Sequence, residues 1–263
     1  MIKILAIGDT VGEPGRNSIA HFILRLREKE RLDFVVVNGE NLAGGSGLTP
    51  QTSRELFRTG VDCIMSGDHI WDKKEILEVI DQEKRILRPL NYPDGVPGRG
   101  AAVLRTQRGV PIGVINVIGR VFMREHFNCP FKAAEEAVAV LRKETPIILV
   151  DVHAEATSEK IALGWHLDGK VSAIFGTHTH VQTADEKILP KGTAYITDLG
   201  MTGSYDSVLG RDVQQVLGRF LTQMPRRFEV ATGNVQLHGA IFEIDEETGR
   251  SLSVLRIQKK MEL

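Results

Sequence analysis

Seven short aliphatic runs punctuate the chain: KILAIG (3–8), DFVVVN (33–38), DCIMSG (62–67), PIGVINVIG (111–119), PIILVDVH (146–153), VSAIFG (171–176) and TAYITD (193–198). They are continuous rather than alternating, which is the pattern of strands covered on both faces. Helical periodicity separates several of them. Over 17–30, Ile19, Phe22, Ile23 and Leu26 fall on one stripe, and the last turn is rich in arginine and lysine, as the helix dipole favours. Over 49–60, Thr49 marks an N-cap, Pro50 the first helical position and Gly60 the stop. Residues 130–144 read as a helix throughout. This alternation predicts an α/β protein with a largely parallel sheet and helices on both faces. The last third departs from it, because 234–260 predicts a hairpin turning at Thr248-Gly249. No linker, repeat or low-complexity stretch interrupts the chain, so one domain over 1–263 is expected.

Composition narrows the classes of partner. The 263 residues are 42% hydrophobic and 25% charged, with a formal net charge of −1. That balance gives no reason to expect stable nucleic-acid or membrane-surface binding. No apolar run approaches the roughly 20 residues of a membrane helix. The apolar opening before Gly8-Asp9 is too short for a secretory signal and lacks its cleavage site. Cys63 and Cys129 form no metal or redox spacing, so a cytoplasmic protein with reduced thiols is expected. Homo-oligomer formation stays open.

Chemistry clusters where the runs end. In open α/β sheets, ligand sites lie beyond the carboxyl ends of the strands. Directly after the runs come Asp9, then Glu40-Asn41, Asp68-His69, His153, and finally His178 with His180. Singly, each has a plain reading as a turn residue, solvated loop, helix cap or buried histidine. Together they place four of the chain's eight histidines directly after apolar runs, beside carboxylates and an amide. His21, His126, His166 and His238 lie in other contexts and read as structural or exposed. Such donors suit Mn, Fe or Zn, and no thiolate lies near them. The glycines after the first run only mimic a dinucleotide loop, and Asp9 would set a carboxylate against a pyrophosphate.

The pair His178 and His180 predicts two ions. In extended backbone, positions i and i+2 point the same way, roughly 6–7 Å apart. The ions of a dinuclear hydrolase stand about 3.5–4 Å apart, so each histidine can reach its own ion, with Gly176 freeing the backbone to bend over them. Beside this site, Asp72 is expected to cap a helix beginning DKKEIL, or else to orient His69. The Gly/Pro-rich loop 88–100 offers Arg88, Asn91 and Tyr92 as substrate contacts.

The segments GDTVGEPGR (8–16), NGEN (38–41), SGDHIWDKKE (66–75), DVHAEATSEK (151–160) and GTHTHVQTADEKILPKGTAYITDLGMTG (176–203) resemble the YmdB-like branch of calcineurin-type metallophosphoesterases. The resemblance implies a four-layer αββα sandwich, with two mixed sheets flanked by helices. It implies a phosphodiesterase acting on a small-molecule phosphodiester, 2′,3′-cyclic nucleotides above all, through a metal-bridging hydroxide. Two divalent or trivalent transition-metal ions are implied, iron or manganese first and zinc as the alternative. Matched residue by residue, Asp9, Asn41 and His180 would hold one ion and Asp68, His153 and His178 the other. Glu40 would bridge them, and His69 would contact the substrate phosphate as the catalytic histidine. One position departs: the family reads Gly-Asn-His where this chain has Gly67-Asp68-His69. The aspartate can ligate, but it adds negative charge facing an anionic substrate. The rival expectation is a metal-ordered regulatory or scaffold protein with weak phosphoesterase activity.

Overall fold

The structure, a computed structural model, describes residues 1–262. Two sheets carry the fold. Across the first, the strands follow in the order Ser251–Lys260, Val235–Ile244, Ile2–Ile7, Phe34–Asn38, Cys63–Met65 and Ile86–Leu87. From Ile2–Ile7 onward they are parallel, and the C-terminal hairpin joins antiparallel. Short strands Asp9–Thr10 and Met201–Ser204 pair beyond the end of Ile2–Ile7. Across the second sheet the order is Lys187–Ile188, Ala194–Ile196, Ala173–Thr177, Ile148–His153, Pro111–Ile118 and Ala101–Arg105. Its four middle strands are parallel and its two edge strands antiparallel.

Alternate residues of each run serve different layers. Ile2, Ile4, Ala6, Phe34 and Val36 of the first sheet pack against Val114, Leu149, Ala173, Phe175 and Ile196 of the second. Leu5, Ile7, Val35 and Val37 face the other way, onto Ile19, Ile23 and Leu26 of helix Gly12–Glu30 and Leu56 of helix Pro50–Thr59. On the far side, Val117, Val150, Val152 and Ile174 meet Ala134 and Val138 of helix Pro130–Leu141 and Leu163 of helix Thr157–Leu167. Helix, sheet, sheet, helix is the result. Strands buried on both faces are apolar at nearly every position, which explains the long runs, and Asn38, Asn116 and Asp151 are among the buried polar exceptions within them. Each fully buried aliphatic side chain contributes roughly 1.5–3 kcal/mol, so neither face tolerates a polar replacement.

Several expectations change in detail. The first helix starts at Gly12, not at residue 17, because the glycine-bearing segment 12–16 is its first turn rather than a loop. The single flanked sheet read from the runs is in fact two, since local patterning is the same for both. DKKEIL forms only a short 3₁₀ turn, Lys74–Glu78, entered through Lys73 without a side-chain cap. The hairpin is present as Val235–Ile244 and Ser251–Lys260, with Gly249 in the left-handed region. Among the described residues no helix is long and apolar enough to cross a membrane.

Candidate metal centre

The parallel strands of both sheets end at one edge of the sandwich, and the polar residues just beyond them meet there. Glu40, Asp68, His153 and His178 form one group whose ligand atoms lie within 4.8 Å of one another. Asp9, Glu40 and His180 form a second on the same criterion. Glu40 belongs to both.

In the first group, His153 Nε2 lies 3.0 Å from Asp68 Oδ1, 3.3 Å from Glu40 Oε2 and 3.0 Å from His178 Nδ1. His178 turns Nδ1 inward, and its Nε2 meets Glu155 Oε2 at 3.3 Å. In the second, His180 Nε2 stands 3.8 Å from Asp9 Oδ1 and 3.5 Å from the Asn41 amide nitrogen, which donates to Glu40 Oε1 at 3.1 Å. Asp9 Oδ2 accepts the His178 backbone N–H at 3.0 Å. His69, with its side chain 40% exposed, bonds Asp72 Oδ2 through Nδ1 at 2.9 Å, while its Nε2 faces Asp68 Oδ2 at 4.0 Å. Its backbone N–H donates to Glu40 Oε2 at 3.3 Å. Gly67 is dictated by this crowding, for a Cβ there would stand 2.1 Å from His153 Nε2 and 2.3 Å from Glu40 Oε2.

The electrostatics describe a site lacking positive charge. Burial, then the nearby Asp198, pushes the Asp9 carboxyl up to about 7. Burial, then Asp68 and Asp9, holds Glu40 well above the usual carboxylate range. Burial would also raise Asp68, but hydrogen bonds from His153 and His178 outweigh it and hold the carboxyl below its usual range. Burial keeps His153 and His180 neutral, down to about 3 and about 4. For His178, burial is outweighed by Asp68, and the imidazole is raised. Three crowded carboxyls beside the neutral imidazoles of His153 and His180 are what a bound cation stabilises. Asp9 Oδ1, buried and without a hydrogen-bond partner, is an acceptor waiting for such a charge. The donor set fits oxygen- and nitrogen-ligated transition metals, while Cys63 is buried in the core between the sheets.

A further layer, which sequence reasoning missed, holds the donors. Asn38 Nδ2 donates to Asp151 Oδ2 at 3.2 Å across the two sheets, and Thr177 Oγ1 donates to Asp151 Oδ1 at 2.7 Å. The same threonine lies 3.0 Å from His153 Nδ1 and so orients the ring. Lys160, fully buried, pairs with buried Asp198 at 2.7 Å, and Asp198 also accepts from Thr179 Oγ1 and the Gly200 N–H. A charged residue inside an aliphatic run, as in VDVH and YITD, was the available signal. Arg211 and Leu209, which line the cavity over the donors, come after no such run.

Four expectations are corrected here. His178 and His180 are not extended: strand Ala173–Thr177 ends before them, and they adopt φ of 91° and 61°. Their division between two groups is achieved by a turn, pinned by the His178 N–H to Asp9 bond, at some backbone strain. Gly176 is no hinge; a Cβ there would stand 1.8 Å from the Thr197 carbonyl, so the glycine permits close strand approach. Asp72 orients His69 instead of capping a helix. Arg88 spends its guanidinium on the carbonyls of Pro89, Leu90, Val96 and Pro97, and Asn91 bonds Ile118 and Asn128. Tyr92 packs edge-on between Trp71 and Phe127. Arg88 and Asn91 thus spend their polar groups on holding the 88–100 loop together, while Tyr92 lies near enough to Asp68 and Glu40 to feel their charge.

Comparison with known proteins agrees with this geometry. The family model for YmdB-like proteins matches residues 5–257. The chain is 48% identical, over 97% of its length and 96% of the relative's, to a Bacillus subtilis protein named 2′,3′-cyclic-nucleotide 2′-phosphodiesterase. A Mycoplasma pneumoniae crystal structure described as a novel phosphatase superposes with a TM-score of 0.92 at 37% identity, covering 98% of this chain and 93% of that one. A Thermus thermophilus protein described as hypothetical superposes equally well, TM-score 0.92 at 41% identity, covering 99% of this chain and 100% of that one. Family model, near-full-length identity and superposition all converge, so this chain belongs to the YmdB-like family and has its four-layer metallophosphoesterase fold.

Proposed function

We propose that the protein is a dinuclear metal-dependent phosphodiesterase whose preferred substrates are 2′,3′-cyclic nucleotides. The observation that carries the reading is the sharing of Glu40 between two donor groups. One ion would be held by Asp9, Asn41, His180 and Glu40, the other by Asp68, His153, His178 and Glu40. Iron or manganese suits these donors best, with zinc as the alternative. Such a pair of cations supplies a water nucleophile at neutral pH and neutralises charge on the phosphate. The chain's own part is positional. Asp151, through Thr177, fixes the His153 ring, and Lys160 with Asp198 supports the turn bearing His178 and His180. His69, its Nδ1 held by Asp72, is left with Nε2 toward the cavity as proton donor to the leaving oxygen or hydrogen-bond donor to the phosphoryl group. The identity to the Bacillus protein named for this activity supports the substrate class.

Turnover of 2′,3′-cyclic AMP and of a chromogenic phosphodiester by manganese-loaded protein tests the reading. Both are expected to be hydrolysed, the cyclic nucleotide faster, and chelation should abolish both. Absence of hydrolysis with two metals bound would favour the rival reading of a metal-ordered regulatory protein.

A further inference from the structure

A cavity of about 160 Å³ opens over the donor groups, and Glu40, His69, His178 and His180 share its wall with Leu209 and Arg211. Arg211 is the one lysine or arginine among the described residues lining it. Its guanidinium is half-buried and engages main-chain carbonyls alone: Nη1 donates to Gly44 O at 3.3 Å and Nη2 donates to Gly45 O. No carboxylate forms a salt bridge with it among the described residues. Two of its five N–H groups are thus occupied and three are left over. Burial without an anionic partner holds the guanidinium below its ordinary pKa.

The backbone that presents this side chain is tightly fixed. Val208 and Arg211 exchange backbone hydrogen bonds of 2.9 and 3.0 Å around a two-residue turn, with Leu209 at φ 52° and Gly210 at φ 86°. Two positive φ values define a type I′ turn, and a leucine in that region is strained. The bonds Asp212 N to Glu229 O and Ala231 N to Gly210 O, 3.0 and 2.9 Å, tie the turn to the segment around Glu229–Ala231. Strain held in place at a cavity mouth points to a positional role.

We propose that Arg211 is a phosphate-binding residue, taking a nonbridging phosphoryl oxygen of the substrate while its two carbonyl contacts hold it in place. The proposal rests on the phosphodiesterase reading above. Asp68, whose carboxyl is held below its usual range, sets a negative charge beside the path of an anionic substrate. A fixed guanidinium on the same cavity offsets that repulsion, and its planar fork of N–H donors can pair with oxygens of a tetrahedral phosphate. Placed before the reaction, it costs little reorganisation as charge develops on the phosphoryl group.

Titration calorimetry of inorganic phosphate into manganese-loaded wild type, R211Q and R211K tests this, alongside kcat and KM for 2′,3′-cyclic AMP and the manganese content of each. R211Q is expected to weaken phosphate binding by about 10- to 100-fold with manganese content unchanged. R211K should recover part of that loss. Phosphate affinity unchanged in R211Q would overturn the proposal even if turnover fell, since Arg211 would then only latch two loops. Wild type that binds no phosphate would overturn it as well. Arg211-dependent phosphate binding without phosphodiester hydrolysis would sustain the proposal and sink the function on which it was built. Should R211Q fail to fold, R211K decides: a loss of about threefold or more supports the proposal, and unchanged affinity contradicts it.

Discussion

Glu40 Oε2 lies 3.3 Å from His153 Nε2, while Oε1 of the same carboxylate receives the Asn41 amide at 3.1 Å. No other residue among those described belongs to both donor groups. Glu40→Gln should therefore remove turnover more completely than any other single ligand change, by at least about 100-fold. Burial and the charges of Asp68 and Asp9 already disfavour the ionised glutamate without metal. The metal-free variant should thus melt no lower than metal-free wild type, yet lose most of the metal-induced rise in Tm. Calorimetric melts with chelator and with manganese check both halves. A variant that keeps its metals and most of its turnover would show that Glu40 is not shared.

Asp68→Asn replaces the carboxylate 3.0 Å from His153 Nε2 with a neutral amide. The carboxylate donates more charge than an amide, which weakens the Lewis acidity of an ion beside it and repels phosphate. At saturating manganese the variant should turn over faster, by up to about tenfold, which corresponds to about 1.36 kcal/mol of barrier. Metal affinity should fall in parallel. An equal or lower rate with an unchanged pH profile would refute the charge argument.

Lys160→Met leaves buried Asp198 without its ion-pair partner. Stranding one charge of such a pair costs about 3–5 kcal/mol. Urea unfolding should show a lower midpoint at an unchanged slope. Because Asp198 also anchors Thr179 and Gly200, the variant should bind metal more weakly too. A stability loss under about 1 kcal/mol would contradict the pairing.

His238 bonds Tyr205 at 2.6 Å and Gln236 at 3.0 Å, and burial lowers its imidazole to about 4. The unfolded chain, with an ordinary value near 6.5, binds the proton first as pH falls. The stabilising effect is therefore complete above about pH 6.5 and lost progressively toward pH 4. His238→Gln should flatten that part of the stability-versus-pH curve, read by denaturant melts at about pH 7, 5.5 and 4.5. An unaltered slope would show that another group governs acid sensitivity.

The convergence of the candidate donors was legible in the sequence because parallel strands end at one edge of their sheet, so polar residues after apolar runs meet there. Asp9, Glu40, Asn41, Asp68, His153, His178 and His180 all meet there. Pairing between strands was not legible, since both sheets write the same local pattern. Asn38 and Asp151, 113 residues apart in sequence, bond only because the sheets stack. The turn conformation of His178 and His180 depends on Asp9, 169 residues away from His178, and no local signal encodes it. Arg211 escaped notice because a short turn, not a strand, delivers it.

The most direct test of the central claim is anomalous diffraction at the manganese edge from crystals of the manganese-loaded protein. Two peaks within about 4 Å are expected. One should sit among Glu40, Asp68, His153 and His178, and the other among Asp9, Glu40, Asn41 and His180. A single fully occupied ion, with Asp9 and His180 unengaged, would contradict the dinuclear account.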